Sequence, residues 1–356
     1  MTASVNRQFL LAARPVGEPT LANFELVEAA IPQADDGQFL VRTIYLSLDP
    51  YMRGRMNDTR SYVKPVAVGD VMEGGAVGVI EASNNEAFNV GDIVSGGFGW
   101  QEYSLSDGRG VRKVDPALAP ISTAVGVLGM PGMTAYTGMK NIGQPKSGET
   151  LVVAAATGAV GSIVGQIAKL HGLRAVGIAG ADEKCRYAES ELGFDVCLNH
   201  RDADLPAKLA EACPDGVDIY WENVGGAVFK AVLPLFNDFA RVPVCGIIAH
   251  YNDTELATDK DYLPMLEGLI LRRRLTLRGF IVSDYQSDAA EFATAASEWL
   301  AQGKLKYRED VVEGFELFPH MLERPEETFH DSVVVAASRV MLDWGDSSSR
   351  SCREFS

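Results

Sequence analysis

The sequence predicts an α/β protein of two domains, a β-rich unit followed by a doubly wound parallel sheet. Three observations lead there. The chain has 356 residues, more than one hydrophobic core ordinarily organises. Residues 1 to about 125 carry short apolar runs broken by turn residues. From residue 151 onward, continuous apolar runs alternate with amphipathic segments, the pattern of a parallel sheet covered on both faces.

In the first part the runs are FLVRTIYLSL (39–48), GGAVGVIEA (74–82) and DIVSGGFGWQEYSL (92–105), set apart by Gly, Asp, Asn and Pro. Strands and turns at that spacing suggest a small barrel or sandwich, and Pro116 and Pro120 punctuate its end. LVVAAA (151–156) then reads as a buried strand, SIVGQIAKLHG (162–172) as a helix, and RAVGIAG (174–180) as the next strand. A helix about 183–193, a strand at DVCLN, a helix at 205–213 and a strand at 218–224 continue the rhythm. AVFKAVLPLF (227–236), RVPVCGI (241–247) and LTLRGFIV (275–282) complete it. The segment 289–305 reads as a helix returning the chain to the first domain, and the Ser-rich tail 343–356 as disordered.

Composition narrows the function. A formal net charge of −16 opposes binding to a nucleic-acid backbone or an anionic membrane. No stretch approaches the ~18 apolar residues of a membrane span, and the N-terminal apolar patch is broken by Arg14 and Pro15, so a cytoplasmic protein is expected. The cysteines, Cys185, Cys197, Cys213, Cys245 and Cys352, form no CxxC pair, and residues 1–170 contain neither Cys nor His.

The strand 151–156 runs into Ala156-Thr157-Gly158-Ala159-Val160-Gly161 and then a helix. This is a dinucleotide fingerprint with its first glycine replaced by Ala156. Gly158 lets the backbone approach a pyrophosphate, Gly161 lets the helix pack on the sheet, and the helix N-terminus receives the phosphates. An NAD site usually ends its second strand in a carboxylate, but here the strand ends at Ala179-Gly180. Lys184 follows and can pair with a 2′-phosphate, which favours NADP; Asp182 and Glu183 weaken that electrostatic case.

The segments LSLDPYMRGRM (46–56), GVLGMPGMTAYTG (126–138), AATGAVGSIVGQIAK (155–169), ENVGG (222–226) and GFIVSD (279–284) resemble the zinc-independent medium-chain dehydrogenases/reductases. The nearest group holds prostaglandin/leukotriene B4 reductases, alkenal double-bond reductases and curcumin reductases. The resemblance covers roughly residues 6 to 315. It implies a GroES-like catalytic domain (1–127), a Rossmann NADP-binding domain (128–303), a return to the catalytic domain (304–342), and a homodimer through the last Rossmann strand near 275–282. It also implies NADPH-dependent reduction of an enone or enal by hydride transfer to the β-carbon. Alternatives are a zinc-independent alcohol or hydroxy-lipid dehydrogenase and a non-catalytic NADPH-binding sensor. A zinc mechanism conflicts with the absence of Cys and His from the first 170 residues.

By the same resemblance Tyr251 bonds the developing enolate, and Tyr51, with Phe98 and Trp100, lines a hydrophobic substrate cleft. Met130, Thr134, Asn223, Phe280 and Val282 surround the nicotinamide, and His200 or Arg201 stands where the family carries a tyrosine for the 2′-phosphate. His250 reads as an ordinary loop histidine. A second departure lies near the end: Glu327-Thr328-Phe329-His330-Asp331 occupies the place of an Asn-x-Gly-Lys run that reaches the cofactor, although Val333-Val334-Val335 still reads as a strand.

Overall fold

The computed structural model describes residues 5–255, 262–317, 319 and 332–336. The tail 343–356 and the segment 327–331 lie outside the described residues. Strands β1 (Asn6–Leu11) and β2 (Phe24–Ala29) form an antiparallel ribbon. β3 (Phe39–Leu48) leads into a short helix, α1 (Tyr51–Arg55), and then β4 (Ala76–Ser83), β5 (Ile93–Gly96), β6 (Tyr103–Ser106) and β7 (Arg112–Lys113) follow. Helix α2 (Met130–Gly138) opens the second body.

Strand β8 (Thr150–Ala154) is buried at all five positions, as a strand covered on both faces must be. Helix α3 (Gly161–Leu170), β9 (Arg174–Ala179), α4 (Asp182–Ser190), β10 (Val196–Asn199), α5 (Leu205–Ala212) and β11 (Val217–Trp221) continue the alternation. α6 (Gly226–Val232), β12 (Phe236–Val244), α7 (Leu263–Arg273), β13 (Thr276–Gly279) and α8 (Ala289–Ala301) complete this layer. The strand order is β10-β9-β8-β11-β12-β13, every pair parallel. The order reverses between β8 and β11, which opens a crevice at their carboxyl ends.

The chain then returns through β14 (Glu309–Glu313) and β15 (Ser332–Ala336). β15 pairs antiparallel with β3, so the first sheet runs β14-β15-β3-β4-β5-β7, with β6 on β3. The closing strand is where the run Val333-Val334-Val335 places it. Gln166 of α3 grips the returning backbone with two bonds, Nε2 to the Lys306 carbonyl at 2.9 Å and the Lys306 amide to Oε1 at 2.7 Å.

Two helices depart from the sequence reading. α2 is buried nearly all round, so it shows no one-sided apolar stripe, and α7 rests a half-buried stripe, Leu266, Leu269 and Ile270, on the parallel-sheet core while Leu263, Met265 and Leu271 stay exposed, which blurs its pattern. The helix expected at 227–236 ends at Val232, and β12 begins at Phe236, ahead of the expected 241. Phe98 and Trp100 are a correction: both are buried in the core of the first domain, where Trp100 meets Phe9 edge-on and Phe24 at 5.3 Å. Gly74 must lack a side chain there, because a Cβ would stand 2.9 Å from the Trp100 ring. These aromatics build the barrel and do not line the cleft.

Candidate active site

The turn after β8 carries the fingerprint. Ala155, not Ala156, takes the left-handed conformation, at φ 53°, so the tight turn falls one residue before the expected position. Ala156 is fully buried, and its methyl would lie 2.8 Å from a Cβ on Gly177 of β9. A Cβ on Gly161 would stand 2.1 Å from the Ala155 carbonyl oxygen. Only glycine lets α3 start this close to the strand end. The first-turn amides of a helix have no helical carbonyl to bond, and here they follow directly on that turn, with Gly158 bonded back to Ala155 and Ser162 to Gly158. Thr157 is buried and Ala159 and Val160 are partly exposed at the mouth of the turn. The turn therefore fits the pyrophosphate of a dinucleotide.

At the next strand end, the place a Cβ on Gly180 would take is 3.4 Å from His200 Nε2. His200 is exposed there, its amide bonded to the Ala179 carbonyl at 2.9 Å. Lys184, one turn into α4, has its ammonium shielded from solvent. Asn199 Nδ2 donates to Asp182 Oδ1 at 2.8 Å, which engages one of the two carboxylates that weaken the case for a 2′-phosphate. The structure thus brings Gly180 and His200 together at the sheet edge where Lys184 also begins its helix.

Across the crevice, Asn223 Nδ2 donates to the Ala154 carbonyl at 2.8 Å, and Trp221 Nε1 donates to Asn223 Oδ1 at 3.0 Å. Glu222, which the sequence reading did not single out, shapes the turn that follows. It is 2 % exposed, and its Oε1 accepts the amides of Val224 and Gly225 and the Tyr220 hydroxyl. Burial pushes its carboxyl up, and those two amides pull the other way.

Tyr251 caps a short 3-10 turn, Ile248–His250. Its hydroxyl sits 2.9 Å from the place a Cβ on Gly246 would take, with the Asn223 carbonyl 3.4 Å from the same point. Burial raises the hydroxyl above the ordinary tyrosine range, opposed by hydrogen bonding from the Ile247 backbone. His250 packs its ring against Gly225 and pairs Nδ1 with Asp253 at 2.8 Å.

Tyr51 begins α1 and is raised above the tyrosine range by burial first, then by Asp49 and Glu73. Tyr62 lies within electrostatic reach of both Tyr51 and Tyr251. No motif announced it, because it stands alone in a polar loop. Met130 starts α2 exposed, and its carbonyl accepts the buried Thr134 hydroxyl at 2.8 Å. Phe280 has its ring in the core, edge-on to Trp221 at 5.8 Å and to Tyr285 at 6.1 Å. Val282 packs beside Met133 and Phe292. Phe280 is 9% exposed and Val282 is half-buried.

Residues 7–114 match the family described as N-terminal domain of oxidoreductase, and residues 159–302 the family described as zinc-binding dehydrogenase. The NADPH-dependent curcumin reductase of Escherichia coli (strain K12) is 52% identical over 315 residues, 88% of this chain and 91% of the relative. The chain belongs to the medium-chain dehydrogenase/reductase family. Within it, prostaglandin reductase 1 of Rattus norvegicus is 42% identical, covering 85% of this chain and 90% of the relative. The crystal structure of CurA in complex with NADPH from Vibrio vulnificus superimposes with a TM-score of 0.90 at 50% identity, covering 94% of this chain and all of that one. This oxidoreductase thus stands beside the curcumin and prostaglandin reductases. Although one family description names zinc, no group of three His, Cys, Asp or Glu side chains suited to a metal occurs among the described residues. No helix among them is long and apolar enough to cross a membrane.

Asp49, next to Tyr51, yields a pH prediction. Burial lifts its carboxyl from 3.8 to about 7. The native state therefore keeps a proton that the unfolded chain releases, so this contribution to stability is full below about pH 4 and is lost as pH rises through 7. Asp49→Asn should melt progressively higher than wild type as pH goes from 5 to 8. A constant difference in melting temperature across that range would contradict the buried-carboxyl reading.

Proposed function

We propose that this NADP-dependent oxidoreductase reduces the carbon–carbon double bond of α,β-unsaturated ketones and aldehydes. The observation that carries the reading is the Tyr251 hydroxyl, held against Gly246 at the mouth of the switch-point crevice. When bound, NADPH supplies the hydride, delivered to the carbon β to the carbonyl. Negative charge then collects on the substrate oxygen, and a burial-raised hydroxyl stays protonated at neutral pH and able to donate to it. The α-carbon takes its proton from solvent or from Tyr251.

In this reading the turn from Thr157 to Gly161 holds the pyrophosphate, and Lys184 and His200 hold the 2′-phosphate. Met130, Thr134, Asn223, Phe280 and Val282 surround the nicotinamide. Tyr62, within electrostatic reach of both Tyr251 and Tyr51, and Tyr51 itself line the substrate side from the catalytic domain. Tyr62, Val63 and Ile247 are exposed apolar side chains, which suits a hydrophobic substrate, as curcumin and prostaglandins are for the relatives named. The domain boundaries proposed are 1–127, 128–303 and 304–342, in a cytoplasmic protein.

The chain is further read as a homodimer through β13. That strand ends its sheet, and an uncovered edge invites pairing. Beside it in sequence, α7 leaves Leu263, Met265 and Leu271 exposed.

Tyr251→Phe should lower kcat for an enone about 100-fold, the scale of losing one oxyanion donor, with the Kd for NADPH within about twofold by fluorescence titration. Unchanged kcat would remove Tyr251 from the chemistry. Leu271→Asp should shift the protein from dimer to monomer in light scattering at micromolar concentration, and a wild type that is already monomeric would end the dimer reading.

A further inference from the structure

We infer that Arg53 is the positioning residue for Tyr251, an inference that rests on the role proposed above for that tyrosine. Arg53 belongs to α1, in the first domain, and is 7% exposed. Its guanidinium bonds three separate segments. Nε donates to Asn252 Oδ1 at 2.9 Å, Nη1 to Asn57 Oδ1 at 2.6 Å and Nη2 to the Gly17 carbonyl at 2.7 Å.

All three acceptors are uncharged. Burial pulls the Arg53 pKa below its ordinary value, the mark of a cation taken from water without a carboxylate to offset it. A solvated arginine would avoid that cost. The planar fork earns its place by geometry, because only a guanidinium can reach three acceptors in fixed directions at once.

The acceptor on the far side is the residue next to Tyr251. The same loop is touched a second time from the first domain, since a Cβ on Gly17 would lie 4.0 Å from the Asn252 carbonyl and 3.9 Å from Thr254 Cγ2. Gly17 holds a positive φ of 78° there, which glycine adopts without strain. The Tyr251 hydroxyl thus lies against Gly246 in the sheet domain, while the side chain of the next residue, Asn252, is held by Arg53 from the catalytic domain. Arg53 makes the oxyanion donor depend on the two domains being correctly docked.

The test is steady-state reduction of 3-nonen-2-one with NADPH by Arg53→Lys and Asn252→Ala, each made alone and with Tyr251→Phe. Asn252→Ala breaks the bridge while leaving the bonds of Arg53 to Gly17 and Asn57, so it serves should Arg53→Lys fold poorly. Each single variant should lose roughly 10- to 100-fold in kcat, the scale of a misplaced catalytic group, with little change in KM or in NADPH affinity. In the Tyr251→Phe background neither should lower kcat further, because residues acting through one group are non-additive. Equal losses with and without the hydroxyl, or wild-type kcat in both single variants, would overturn the inference. Undiminished turnover in Tyr251→Phe alone would instead sink the functional reading beneath it.

Discussion

The site hangs on one hydrogen bond across the middle of the parallel sheet, from Asn223 Nδ2 to the Ala154 carbonyl. β8 and β11 are the neighbours between which the strand order reverses. They pair directly as far as Trp221 and Val153. Asn223 carries the tie one residue further, to Ala154, and the Trp221 indole fixes which way the amide faces by donating to its oxygen. That bond joins the start of the Glu222-shaped turn to the strand end that leads into the fingerprint turn. Tyr251 is placed relative to the same point through Gly246 and the Asn223 carbonyl.

Charge is organised on two scales. The whole chain is strongly acidic, at −16, yet Lys184, His200 and Arg201 cluster in sequence about the ends of β9 and β10. Asn199 occupies the Asp182 carboxylate, and so blunts a repulsion that would oppose a phosphate there. Net charge governs what the surface attracts at long range, while a few placed groups decide what a crevice binds. The acidic total and an anionic cofactor are compatible for that reason.

Most of the sheet was legible because buried parallel strands write continuous apolar runs, and 151–156 is such a run. The glycines were legible where close approach forces them, as at Gly161. Ala155 was not, because a left-handed alanine leaves no mark in composition. α2 and α7 escaped for different reasons, one buried on nearly every side and the other half-burying one stripe beside exposed Leu263, Met265 and Leu271. Trp100 and Phe98 were misplaced because an aromatic in a strand–turn segment looks the same whether it fills a barrel or a cleft. Tyr251 was singled out through the segments around it, whereas Tyr62 and Arg53 were not. Arg53 reads as a solvated cation, and only the fold shows its guanidinium reaching Asn252, 199 positions away.

The central claim is that hydride goes to the β-carbon of an enone and not to its carbonyl carbon. Reduction of an enone with NADPH deuterated at the transferred C4 position, followed by NMR of the product, tests it most directly. The proposed function predicts a saturated ketone carrying deuterium at the β-carbon. Deuterium on a carbinol carbon, with the double bond intact, would contradict it and make the enzyme an alcohol dehydrogenase.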